Sequence, residues 1–171
     1  MLREKMKIGI MSDTHENMPM IAKAVSVFNR EKVDLIFHAG DIISPITGRE
    51  FKELKSKLVA VFGNNDGEKR FLREKFSQIG ELHEPPYKAE VNGFSVLLMH
   101  QPDSLEKFAS SGKYDIIIYG HTHRVDVRTV GETLIINPGE AGGWLDGKST
   151  IGILELPSKK FMLIDLQEEG E

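Results

Sequence analysis

The residues of this chain best suited to chemistry are two carboxylates, four imidazoles and one amide: Asp13, His15, Asp41, Asn64, His100, His121 and His123. They come in short clusters, Asp13-Thr14-His15, Gly40-Asp41, Gly63-Asn64-Asn65-Asp66, His100 and Gly120-His121-Thr122-His123, each directly behind an apolar run. Mixed oxygen and imidazole donors suit divalent metals of the borderline kind, Mn, Fe, Co, Ni or Zn. Seven donors are too many for one tetrahedral ion and match two ions that share a carboxylate. Two metals about 3.5–4 Å apart form a clamp for in-line phosphoryl displacement. Each cluster alone has a plainer account: a capping carboxylate at Asp13, a turn Asp after Gly40, a tight turn at Gly63 to Gly67, a turn holding two histidines. Those accounts do not explain why four of the six histidines fall in one such set.

The elements that would position these residues can be read from the apolar pattern. Lys7 to Met11, Val33 to Phe37 and Lys57 to Phe62 read as strands. Each is followed by a helical segment. The first has apolar residues at Ile21, Ala24, Val25 and Phe28, with Asn17 as its cap and Pro19 in its first turn. The second opens at Ser44-Pro45 and runs from about Ile46 to Leu54, and the third, charged and amphipathic, from about Glu68 to Phe76. From about Gly80 the pattern changes, and Glu84-Pro85-Pro86 breaks the chain. Lys88 to Val91 and Phe94 to Met99 read as a hairpin across Asn92-Gly93. A helix over Pro102 to Ser111, stopped at Gly112, precedes the short β-branched strand Tyr114 to Ile118. The remainder is β-rich: a hairpin of Val125 to Val130 and Leu134 to Ile136, a Gly-rich loop from Ala141 to Gly147, and a hairpin of Thr150 to Leu156 and Lys160 to Leu166. Gln167 to Glu171 reads as a frayed acidic tail. The sum is βαβαβα followed by mixed strands. It predicts one α/β domain over residues 1–171, with two mixed β-sheets packed face to face and helices outside. The ligand-type residues then sit beyond the carboxyl ends of strands, where open α/β sheets bind their ligands.

Composition narrows the partners. A length of 171 residues suits one domain with a good core. Apolar content of 40% and charged content of 28% are ordinary for a soluble globular protein. No apolar run approaches the roughly 20 residues that span a bilayer, and Met1 to Lys7 is too short and too charged for a signal peptide, so a cytoplasmic protein is expected. With no cysteine, any metal must be held by His, Asp, Glu, Asn or backbone oxygen. A net charge of −4 without a basic block argues against a dedicated nucleic-acid or membrane-surface binder.

Taken in order, these motifs resemble those of the calcineurin-like metallophosphoesterases, and length together with the Asn137-Pro138-Gly139 turn resembles the small bacterial and archaeal phosphodiesterase branch. The resemblance implies a four-layer sandwich and a metal-dependent phosphoric ester hydrolase, a phosphodiesterase, acting on a small phosphate ester. It implies one metal on Asp13, His15, Asp41 and His123 and a second on Asp41, Asn64, His100 and His121, with Mn or Ni favoured and Fe, Co or Zn possible. Asp41 would bridge, and a metal-activated hydroxide would attack phosphorus directly. Asn64 would add a neutral oxygen, where a third carboxylate would cancel the charge that draws substrate. Asp41, Asn65 and Asp66 are the candidate catalytic residues. Two positions depart from the pattern. Many relatives carry a His after the metal-binding Asn that assists the leaving group, and here it is Asn65, so esters with good leaving groups are expected. Many carry Gly after the third-motif His, and here it is Gln101.

Other candidates carry less. Asp66 is expected to order the Asn64 loop or a neighbouring His, His38 to support Asp41 or sit satisfied in the core, His83 to lie at the surface, and Trp144 to pack locally rather than shape the cleft. Thr122 is expected to face away from the metals. Competing readings are a non-catalytic scaffold on the same fold, as in a retromer subunit, and a phosphomonoesterase or nuclease. A homo-oligomer stays open.

Overall fold

The computed structural model describes residues 4–169. Its first half alternates strand and helix: β1 (Met6–Met11), α1 (Met18–Glu31), β2 (Leu35–His38), a 3₁₀ turn at Pro45–Thr47 running into α2 (Gly48–Phe51), β3 (Lys57–Val61) and α3 (Lys69–Phe76). The second half contains β4 (Gly80–His83), β5 (Tyr87–Val91), β6 (Phe94–Leu98), α4 (Leu105–Ala109), β7 (Ile116–Ile118), β8 (Val125–Val130), β9 (Thr133–Pro138), β10 (Thr150–Leu156) and β11 (Lys160–Asp165). These strands form two mixed sheets. One has the order β11-β10-β1-β2-β3-β4, the other β5-β6-β7-β9-β8. In the first, β1 to β4 run parallel, and β10 and β11 are added antiparallel. In the second, β6, β7 and β9 run parallel between antiparallel β5 and β8.

The period of two along each strand builds the layers. Ile8 and Ile10 of β1, Val59 and Val61 of β3, Val96 and Leu98 of β6 and Ile116 and Ile118 of β7 meet in the core between the sheets. The alternate residues face outward: Met11, Leu58 and Ala60 toward the helices, where Phe28, Phe51 and Phe76 pack, and Leu97 and Ile117 toward α4 with Leu105 and Ala109. Burial of each such side chain contributes about 1.5–3 kcal/mol. The result is four layers, helices–sheet–sheet–helix, and strand ends held as a rigid platform.

Departures from the sequence reading are local. Nothing in Gly80-Glu81-Leu82-His83 announces a strand, since Leu82 alone is buried, yet it pairs parallel with β3. His83 is accordingly not a free surface residue: its ring stacks on Tyr87 with centroids 3.6 Å apart, and its Nε2 lies 3.1 Å from Glu81. The segment expected as a helix to Leu54 is a 3₁₀ turn and one α turn, pinned by buried Phe51. The helix expected over Pro102 to Ser111 is only Leu105–Ala109. Asn17 does cap α1, accepting from Met20 N at 3.4 Å, and its amide donates to Gly142 O at 2.6 Å, which ties the helix to the Gly-rich loop. Of the expected frayed tail, Gln167 N donates to Asp165 at 2.9 Å and Glu169 pairs with Arg30 at 2.7 Å. Gly170 and Glu171, like Met1 to Arg3, lie outside the described residues.

Candidate metal centre

Each strand that delivers a predicted donor is a parallel one. Asp13 and His15 follow β1, Asp41 follows β2, Asn64 follows β3, His100 follows β6, and His121 and His123 follow β7. Parallel strands in two facing sheets bring their carboxyl ends to one rim, and the donors meet there. The loops are laced together by backbone bonds: Asp13 N to Gly40 O at 3.0 Å, His15 N to Asp41 O at 3.1 Å and Gly120 N to His100 O at 3.0 Å. Asp13, His15, Asp41, His121 and His123 all have positive φ, from 41° to 67°. Residues with a Cβ rarely adopt that conformation, and each costs on the order of 1–3 kcal/mol that the surrounding structure must offset. Glycine serves the rim through close approach. A Cβ on Gly63 would collide with the Asp41 carboxylate, and one on Gly120 with Ser12 Oγ.

The donors divide into two groups. Ligand atoms of Asp13, His15, Asp41 and His123 lie within 4.8 Å of one another. Here His15 Nε2 is 3.8 Å from Asp13 Oδ1 and 3.4 Å from Asp41 Oδ2, and His123 Nε2 is 3.4 Å from Asp13 Oδ1. His15 Nε2 is buried without a hydrogen-bond partner, and a cation among these atoms would satisfy it. The contact with Asp13 raises the His15 pKa against the opposing effect of burial. In the second group Asn64 Oδ1 lies 2.8 Å from His100 Nε2 and 3.0 Å from His121 Nδ1. His100 Nδ1 must donate to the Ala39 carbonyl at 2.8 Å, so neutral His100 presents a lone pair from Nε2. Burial lowers the His100 pKa, but the contact with Asp41 prevails and raises it, so a proton on Nε2 can bridge to Asn64 Oδ1 and Asp41 where a cation would otherwise sit. The donor chemistry of both groups therefore fits divalent cations.

Asp41 belongs to both groups. Its Oδ2 is 3.4 Å from His15 Nε2 and 3.5 Å from His100 Nε2. The carboxylate is fixed by Asn65, whose backbone N donates to Oδ1 at 2.9 Å and whose side-chain amide donates to Oδ2 at 2.8 Å. Burial pushes its pKa up, but the contacts with His100 and Asn65 override it and hold the group well below the usual carboxylate range. Asn65 thus grips a shared donor and offers no proton. Asp66 is buried and touches backbone only: it accepts from Gly63 N at 2.6 Å, Asp41 N at 3.1 Å and Ile43 N at 2.6 Å, and burial raises its pKa. Asp13 accepts from Ser12 Oγ at 2.7 Å and from His121 N at 3.0 Å. His38 is fully buried. Its Nδ1 accepts from Gly40 N at 3.1 Å, so Nε2 donates to Thr14 Oγ1 at 3.1 Å, and burial depresses its pKa to about 4. Thr122 Oγ1 turns away from the centre to accept from Asn137 at 3.0 Å.

Two features escaped the sequence reading. Glu140 is buried, its Oε2 lies 3.2 Å from His123 Nδ1, and its two oxygens accept from Trp144 N at 2.8 Å and Leu145 N at 3.1 Å. It stands two residues past β9, another parallel strand, so the rule that located the other residues would have located it. Trp144 does not pack as expected: it is 63% exposed, with its indole Nε1 donating to His15 O at 3.1 Å. Bonds from its own loop to Glu140 hold it out over the rim.

The profile of the calcineurin-like phosphoesterase superfamily domain matches residues 6–159. This chain belongs to that superfamily. A phosphodiesterase of Methanocaldococcus jannaschii is 41% identical over 166 residues, covering 95% of this chain and all of the relative. A solved structure described as a novel archaeal phosphodiesterase superposes with a TM-score of 0.89 at 40% identity, covering 94% of this chain and 99% of that one. A predicted phosphoesterase from Streptococcus pneumoniae, at 20% identity and a TM-score of 0.72 over 99% of this chain and 95% of that one, shares the fold. Calcineurin-like phosphoesterases use divalent metals, in keeping with the donor groups at this rim. Among the described residues no helix is long and apolar enough to cross a membrane.

Proposed function

We propose that this protein hydrolyses small phosphodiesters with the help of two divalent cations, one held by Asp13, His15, Asp41 and His123, the other by Asp41, Asn64, His100 and His121. The observation that carries this reading is the single Asp41 oxygen flanked by His15 Nε2 at 3.4 Å and His100 Nε2 at 3.5 Å. One carboxylate oxygen between two imidazoles from opposite sheets is the arrangement two ions would share. Imidazole, carboxylate and amide donors without thiolate put Mn or Ni first, with Fe, Co and Zn also matched to the set. When bound, such ions supply the positive field that draws a phosphate ester and lowers the pKa of a water near neutral pH.

The chain's own residues do the rest. Asp13 and Asp41 are the only carboxylates among the seven donors, so two divalent ions keep a surplus of positive charge. Glu140, against His123, trims that surplus without joining the donors. Asn65 locks both oxygens of Asp41, Asp66 locks the backbone beneath it, and Glu140 stands 3.2 Å behind the otherwise unpartnered His123 Nδ1. No imidazole stands at position 65 to protonate a departing alkoxide, so the enzyme favours esters whose alcohols leave readily. The similarity to a named phosphodiesterase over nearly the whole chain supports diesters over monoesters.

The test is turnover of bis(p-nitrophenyl) phosphate by chelator-treated protein. Activity should vanish on chelation and return with Mn or Ni, and Asp41→Asn should stay inactive with either metal. Full turnover without metal, or substantial activity in Asp41→Asn, would overturn the reading.

A further inference from the structure

Beside the Asn64–His100 half of the centre opens a cleft of about 400 Å³ that those two residues also line. Its volume lies in the range of small-ligand sites. Phe62, Met99 and Phe108 give it apolar walls, Pro85 and Pro86 supply a further side, and Gln101 stands exposed at the mouth. The charges around it are already committed or repel anions. Lys69 and Arg73 both pair with Glu84, at 2.9 Å and 3.0 Å, and both sit over the Phe62 ring, at 5.0 Å and 4.6 Å. Asp103, also on the lining, adds a second carboxylate. With one cation, Lys69, against two carboxylates, Glu84 and Asp103, the lining as a whole does not favour a second phosphate or another anion. A flat uncharged ring would meet Phe108, Met99 and two prolines, with the Gln101 amide within reach of a heteroatom on its edge.

We infer that this cleft seats one ester group of the substrate and selects a neutral, planar ring system, an aryl group or a nucleobase, over a small alkyl group. The inference rests on the phosphoesterase reading above, because it needs phosphorus at the neighbouring donors. Phe108 and Gln101 are then specificity residues. Phe108 supplies the ring's contact surface, and Gln101 narrows the entrance.

Binding to the metal-replete protein, measured by calorimetry with inorganic phosphate, methyl phosphate and phenyl phosphate, separates the two ideas. All three carry the group the donors recognise, and only the last carries a ring. Phenyl phosphate should bind about tenfold more tightly than methyl phosphate, as burial of part of a ring predicts. Phe108→Ala should bring that ratio to within about threefold. Because Phe108→Ala also removes core packing, Gln101→Ile serves as the second variant: at this exposed site, branched aliphatic bulk obstructs the mouth without offering the ring a stacking surface, with the same loss of the phenyl advantage. Equal binding of phenyl and methyl phosphate in the native protein, or a phenyl advantage that survives both variants, would overturn the cleft assignment and leave the phosphoesterase reading standing. Failure of all three phosphates to bind would overturn both.

Discussion

The carboxylate of Glu140 meets the His123 ring at 3.2 Å and two backbone N–H groups of the Trp144 loop. A carboxylate behind a ligating imidazole fixes the ring's orientation and raises its basicity, and its loss typically weakens metal affinity about 10–100-fold. Glu140→Ala should therefore bind one equivalent of metal more weakly by that factor, and excess metal should restore most turnover. Calorimetric titration of metal would check this. A binding curve that superimposes on that of the native protein would show that Glu140 merely ties down its loop. The gathering of these seven side chains at one rim was legible in the sequence because each follows an apolar run and each is of a type that can bind metals. Glu140 follows a strand by the same rule but was passed over, because the turn Asn137-Pro138-Gly139-Glu140 accounts for it and its partner His123 lies 17 positions earlier. The positive φ of five of these residues was equally hidden: Asp and His enter that region more readily than most side chains, but nothing in the sequence marks which of them do so. Asn65 was legible as a departure from the family pattern, but its two bonds to Asp41 were not, because they depend on how the loops after β2 and β3 meet.

At the level of elements, the rim depends on strand ends approaching more closely than side chains would allow. The loops after β2 and β3 touch at Gly63, where a Cβ would collide with the Asp41 carboxylate. Gly63→Ala should displace the shared donor while leaving both sheets intact. A misplacement of about 1 Å can cost roughly 10²-fold in rate. The variant should therefore melt cooperatively and lose about two orders of magnitude in turnover of bis(p-nitrophenyl) phosphate. Turnover within a factor of three of the native value would mean that the loop absorbs the methyl group without moving Asp41. Strands rich in β-branched residues, such as β7 with three consecutive isoleucines, were legible because burial on both faces leaves a continuous apolar run. Edge strand β4 was not, since an edge position buries only Leu82. Short α2 and α4 were over-extended in the sequence reading, because Phe51 and Leu105 mark where a helix packs but not where it stops.

In the whole molecule the donors fall on both sides of the seam between the sheets. Asp13, His15, Asp41 and Asn64 come from the first sheet, and His100, His121 and His123 from the second. Two facing sheets followed from the order of elements in the sequence. Their register against each other did not, because it is set by interdigitation of side chains such as Ile8, Phe37, Leu98 and Ile136. A cation held by residues of both sheets is a cross-link, so its binding free energy should appear as added stability of the assembled sandwich. At metal concentrations about a hundredfold above Kd, linkage gives roughly 2.7 kcal/mol, and about 2–4 °C per kcal/mol applies to a chain of this size. Saturating metal should therefore raise the melting temperature by about 5–11 °C, and Asp41→Asn should forfeit at least half of that gain. Where the stabilisation acts distinguishes a cross-link from a local loop ligand. Hydrogen exchange should slow on metal addition in the loops after β1, β2 and β3 and equally in those after β6 and β7. Protection confined to one sheet would mean that the ions sit on a single set of strand ends, and that the seam owes its order to the apolar core alone.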